Sequence, residues 1–247
     1  MFPRSSPGAV SPVQPLGEPP VELVAALRDG TCMLFTGEEF SRQCGMPVWH
    51  YLMLGLGDYL ADTRRIGRED GDRLRQIHRD KKYGHVERIV RALLQEHPEA
   101  IPEYLAKMNS RPLMMPPAQE LLKKLPFAVV VSPMPDGVAA KMGRETVRLR
   151  GDLFWPDEAE GPARALCAEV VRGRTVLFVG TSAAEIERWY GVAGAGPHFA
   201  LLPKGQALEG KTAAKYGIRS LVYDVSTSQA LVEFLKKLQS TGRSLDG

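Results

Sequence analysis

The chain has 247 residues, 44% of them hydrophobic and 25% charged, with a formal net charge of +3. That is a globular balance. Its mild charge argues against nucleic acid as the primary partner, because binding a phosphate backbone calls for a concentrated basic patch. No apolar run reaches the ~18 residues of a spanning helix, so no membrane segment is expected. Three cysteines, none in a C-x-x-C pair, cannot build a four-thiolate zinc site. The odd thiol count, with no signal-peptide pattern, points to a reducing cytoplasm.

Met1 to Pro20 is rich in Pro, Ser and Gly and reads as a disordered tail. A first helix follows, with Leu23, Val24 and Leu27 on one face and Gly30 as its stop. "TCMLFT", Thr31 to Thr36, is a buried strand, and a helix resumes at Val48. From Glu69 to Lys124 the pattern is helical. Val86, Ile89, Val90, Leu93 and Leu94 recur on one amphipathic face, and Pro116, Pro117 and Pro126 punctuate a later helix. The densest basic stretch, Arg79 to Arg88, has acids mixed in and reads as a solvated helix face. Residues 66–125 are therefore expected to form a helical insertion between two strands.

Strands and helices then alternate. "FAVVVS", "TVRLRG", "TVLFVG", "HFALLP" and "RSLVYD" read as strands, with helices between them. A last helix carries a stripe of Leu231, Phe234, Leu235 and Leu238. The alternation predicts an α/β fold: a doubly wound, mostly parallel Rossmann-like sheet with a helical insertion. One domain is expected over 21–240, with a flexible C-terminus at 241–247. Ligands in such folds sit at the carboxyl ends of the strands. This singles out Thr36 to Ser41, Ser132 to Asp136, Arg150 to Asp152 and Gly180 to Ser182.

Those strand ends, in order, resemble the sirtuin-like domain family, and most closely its zinc-free bacterial branch, which is common in antiphage defence systems. The family's first strand ends in a Gly-Ala-Gly-x-Ser phosphate loop. Here the stretch is "FTGEEFSRQCGMPVW", in which Phe35, Gly37, Ser41, Gly45, Pro47 and Trp49 fit. A second strand ends in Thr-x-Asn-Tyr-Asp in the family. Here it is "VSPMPD", with Met134 at the asparagine and only Asp136 retained. A third strand carries the family's catalytic histidine, where this chain has Arg150. A fourth, "LFVGTS", fits well and ends in Gly180, Thr181 and Ser182. The resemblance covers roughly residues 20–240 and implies NAD binding at Gly37, Ser41, Gly180, Thr181 and Ser182.

The departures alter the chemistry. Glu38 and Glu39 place two carboxylates where bare backbone would meet a diphosphate, and like charges repel at contact distance. "TGEE" also reads as a capping box, with Thr36 as N-cap and Glu39 reaching back. Met134 neither accepts nor donates usefully. Arg150 stays protonated and cannot serve as a base, although it could pair with Glu38 or Glu39. Gly180, Thr181 and Ser182 read equally as a ribose contact or as a plain N-cap turn. The five histidines show no metal spacing and read as surface residues, with His78 and His85 seven apart on one helical block.

The expectation is thus a degenerate sirtuin-like domain without confident catalytic residues or a metal. It would be cytoplasmic and would act through protein partners in a larger bacterial assembly, with self-association left open. One alternative is a sensor that binds NAD or ADP-ribose without cleavage. Another is an NAD hydrolase with reassigned residues, such as Asp136 or Glu185 as base.

Overall fold

The computed structural model describes residues 13–135, 137–144, 146–148, 160–190, 197–208, 210–224 and 228–243. Seven strands form one sheet in the order β1-β7-β6-β5-β2-β3-β4, and every pairing is parallel. They are β1 (Val13–Pro15), β2 (Cys32–Thr36), β3 (Val130–Ser132), β4 (Thr146–Arg148), β5 (Thr175–Val179), β6 (His198–Pro203) and β7 (Ile218–Tyr223). The α/β fold with a parallel, Rossmann-like sheet is as expected. The end of the supposed tail is not free chain: Val13–Pro15 pairs with Ser220–Val222 at the sheet edge, and the Leu16 amide donates to the Val222 carbonyl.

The central strand β2 is buried along its whole length. A strand buried on both faces sends alternate side chains into two cores. Cys32 and Leu34 point into one, with Leu177 of β5 and Phe199 of β6. Met33 and Phe35 point into the other, with Val176 and Phe178. The register sets Phe35 against Phe178, with ring centroids 5.3 Å apart.

The first core is closed by α1 (Val21–Arg28), α3 (Trp49–Asp62) and α11 (Ser228–Arg243). The helical block continues through α4 (Arg68–Arg79), α5 (Tyr83–Glu96), α6 (Ala100–Asn109) and α7 (Pro117–Lys123) before the chain enters β3. The insertion therefore lies between β2 and β3. Its helix α5 buries Val86, Val90 and Leu94 on one stripe. The second core is covered by α8 (Glu160–Val171) and α10 (Gly210–Tyr216), which contribute Cys167, Val171, Ala213 and Tyr216.

From β2 the chain proceeds outward to β3 and β4, while from β5 it proceeds the other way to β6 and β7. The winding direction therefore reverses between β2 and β5. A crevice opens at the carboxyl ends of two such diverging strands.

Candidate functional site

Both strands at the switch point end in glycine. Gly37 follows Thr36 and is the N-cap of the short helix α2 (Glu38–Gln43). Gly180 follows Val179 and leads through Thr181 into α9 (Ala183–Glu185), which continues as a π turn over Ile186–Tyr190. The two turns are stitched by backbone: the Gly37 amide donates to the Val179 carbonyl at 3.0 Å, and the Glu39 amide to the Gly180 carbonyl at 3.1 Å.

The helix starts beside them are closed by the chain's own carboxylates. Glu185 Oε1 accepts from the Glu38 amide at 2.8 Å, the first amide of α2. Its Oε2 accepts from the Ser182 amide at 2.8 Å and the Ser182 hydroxyl at 2.9 Å. The Ser182 hydroxyl in turn accepts from the Glu185 amide at 3.2 Å, completing a capping box. Glu38 does the same one helix further on, where Oε1 accepts from the amide of Trp49, the first residue of α3, at 3.1 Å. A carboxylate at a helix start meets both orphan amides and the positive end of the dipole.

This arrangement corrects the capping box expected over "TGEE". Thr36 belongs to β2, and its hydroxyl donates to the Val131 carbonyl across the sheet. The N-cap of α2 is Gly37, with no side-chain cap, and the box forms instead over Ser182 to Glu185. The local reason is that the parallel pairing of Thr36 with Val179 keeps Thr36 in strand geometry. Glu39 does not reach back. It takes a bidentate pair from Arg42, with both bonds at 2.6 Å, and a third bond from Gln43 Nε2 at 3.1 Å. Burial pushes the Glu39 carboxyl up, and the hydrogen bonds from Arg42 and Gln43 outweigh it, holding the group below its ordinary value.

Two cavities share Glu38 and Glu185 as lining residues. The larger, about 850 Å³, runs from Gly180–Ser182 past the ends of β6 and β7 to α7 and α11. The smaller, about 180 Å³, lies toward β3 against Pro133, Met134 and Trp49. The two carboxylates therefore stand as a partition within the crevice. Of the residues singled out in the sequence, Gly180, Thr181 and Ser182 line the large cleft and Met134 lines the small cavity. Thr181 is buried, its hydroxyl bonded to the Val179 carbonyl. Gly37, the N-cap of α2, and Ser41, within that helix, line neither cavity, and Ser41 is 1% exposed. Asp136 and Arg150 lie outside the described residues, as does any contact Arg150 makes.

Glu185, a candidate base in the sequence, has a structural part that its motif also signals. "SAAE" carries the same S/T-x-x-E spacing as "TGEE" and was the signal available. No sequence motif marks Gln119, a buried glutamine of α7 whose Nε2 donates to Gln43 Oε1 at 2.6 Å.

The histidines are not all at the surface, which corrects that expectation. His78 is buried and meets His50 rather than His85, with Nδ1 of His50 3.0 Å from Nε2 of His78 and Tyr83 stacked on His50. Burial and the neighbouring His78 lower the His50 pKa. His198 is 2% exposed, and its Nδ1 accepts from the Val176 amide at 3.1 Å. Among the described residues, no group of three or more His, Cys, Asp or Glu is placed to hold a metal ion.

Comparison with protein-family models and with curated proteins gives no match for this chain.

Proposed function

We propose that the chain is a catalytically degenerate sirtuin-like domain that serves as a protein-interaction or regulatory module of a bacterial assembly, in keeping with antiphage defence systems, and does not cleave NAD. One observation carries the reading. The amides that would receive a diphosphate at the switch point already hold the carboxylates of Glu38 and Glu185. An incoming phosphate would have to displace a charge-assisted bond and approach a like charge. Met134 at the reacting position, 2% exposed and without polar side-chain atoms, supports the same view.

The direct test is mass-spectrometric detection of nicotinamide after incubation with NAD. Release at the level of buffer alone is expected. Release that disappears in Arg150→Ala would overturn the proposal and favour an NAD hydrolase. A second reading, a sensor for NAD or ADP-ribose without cleavage, draws on the 850 Å³ cleft beside Gly180 to Ser182, a volume within the range of ligand sites. It requires binding heat with these nucleotides in calorimetry.

A further inference from the structure

Two imidazoles meet where α3, α4 and α5 converge. His50 stands in the first turn of α3 and His78 in the last turn of α4. His50 Nδ1 lies 3.0 Å from His78 Nε2, and the ring centroids are 5.2 Å apart. The centroids are farther apart than the nitrogens by almost two ring radii. Both nitrogens therefore lie close to the line between the rings and face each other. Such a contact holds a single proton: one nitrogen donates and the other accepts. Helix position sets the order. The carbonyl end of α4 favours positive charge and the amide end of α3 disfavours it, so His78 Nε2 donates and His50 Nδ1 accepts. Tyr83, which opens α5, stacks on His50 with centroids 4.2 Å apart, and Tyr51 tilts against both imidazoles. The charges around the pair are committed elsewhere: Asp80 to Gln76 and Lys82, Arg79 to Gln76, Glu87 to Arg91, and Glu38 to the Trp49 amide. From α6, Glu103 and Lys107 turn to Tyr59, and His85 of α5 is exposed.

We propose that the His50–His78 pair is an acid-released latch that holds the end of α4 and the start of α5 against α3. A second proton, taken from water onto His50 Nδ1, puts two N–H groups face to face, so the bond ends and like charges are left at contact. Burial and the neighbouring His78 already hold the His50 pKa down. The unfolded chain takes this proton near pH 6.5 and the latched chain only below it. The latch is therefore intact above that value and weakens as the pH falls beneath it. The release is local. In the first part of α4, Leu74 sits on Gly57 and Arg75 pairs with Asp58, which fixes that part to α3 without a histidine. Beyond His78 the chain turns through Lys81 at φ 59, a left-handed conformation that a side chain disfavours, so this turn leans on its neighbours. Nothing in the latch depends on what the crevice binds.

The test is hydrogen exchange of the full chain, read by mass spectrometry at about pH 7.5 and about pH 5 and corrected for the intrinsic rate at each. His50→Asn is the comparison: its Oδ1 keeps an acceptor for His78 Nε2 and takes up no proton. On acidification, residues 76–86 of the wild-type chain are expected to gain at least about fivefold more in exchange rate than those of the variant, whereas residues 68–75 gain equally in both. His198 is common to both chains and cancels. Equal gains at residues 76–86 would overturn the proposal. If the variant fails to fold, nitrogen NMR of the wild-type imidazoles decides. His50 Nδ1 is expected to be unprotonated at neutral pH and to gain its proton in acid as residues 76–86 loosen. A proton already on His50 Nδ1 at neutral pH, or one gained in acid with no change in exchange at residues 76–86, would overturn the latch.

Discussion

At Gly37 and Gly180 two polypeptide turns come closer than side chains permit. A Cβ on Gly37 would stand 2.2 Å from the Gly180 carbonyl oxygen, and one on Gly180 would stand 2.4 Å from the Phe40 amide nitrogen. In both directions the obstacle is backbone, which cannot rotate away as a side chain can. Gly180 also has φ +63, in the left-handed region that glycine adopts without steric cost. The same two residues that suggest a phosphate loop in the sequence are thus required by the close approach of the turns that follow β2 and β5 alone. Gly37→Ala is expected to destabilise the fold by about 3 kcal/mol. A urea unfolding curve with an unmoved midpoint would contradict this.

Single elements carry a second consequence, in the pairing of β5 with β6. His198 opens β6, and burial drives its pKa down from 6.5 to about 4. Its Nδ1 also serves as acceptor for the Val176 amide, a role that protonation of that nitrogen would end. The unfolded chain takes up this proton near pH 6.5 and the folded chain only near pH 4. Between those values the unfolded state holds more protons, so stability falls as the pH drops through that window and is level on either side. The loss is on the order of 3 kcal/mol. Urea titrations across the window should show it, and His198→Asn, which keeps an acceptor for Val176, should flatten it. An unchanged slope in that variant would assign the acid sensitivity elsewhere.

The elements also show how far the sequence could be read. Apart from β1, which lies in the stretch expected to be a disordered tail, the strands and the helical block were legible because their signals are local: the buried run of β2, the stripe of α5 and the prolines around α7 each act within a few residues. Gly37, Gly180 and Ser182 were found for the same reason. The closure of the site was not legible, because it joins residues distant in the chain, Glu38 to Glu185 and Gln43 to Gln119. Choosing between the two S/T-x-x-E boxes required knowing that Thr36 is held in the sheet by Val179. His78 looked like a surface residue because its partner, His50, stands on another helix.

For the molecule as a whole, the two cores on either side of the sheet enclose the thiols. Cys32, Cys44 and Cys167 are all buried, and burial pushes the Cys32 thiol up and that of Cys167 up to about 12. Thiolate is the reactive form, so a native chain should give almost no colour with Ellman's reagent, while the denatured chain should titrate all three cysteines. Rapid reaction of any thiol in the native state would contradict this packing. Among the described residues no helix is long and apolar enough to cross a membrane.

The edge strand β1 has a consequence in time. Val13 takes its place beside Ser220, a residue far along the sequence. A ribosome delivers the N-terminal part first, so β1 waits until the residues between Pro15 and Ile218 have been made before β7 exists to receive it. No hairpin can shorten that wait, because every strand in this sheet meets its neighbour in parallel, across a crossover. Among the described strands, the first to be made waits longest for its neighbour.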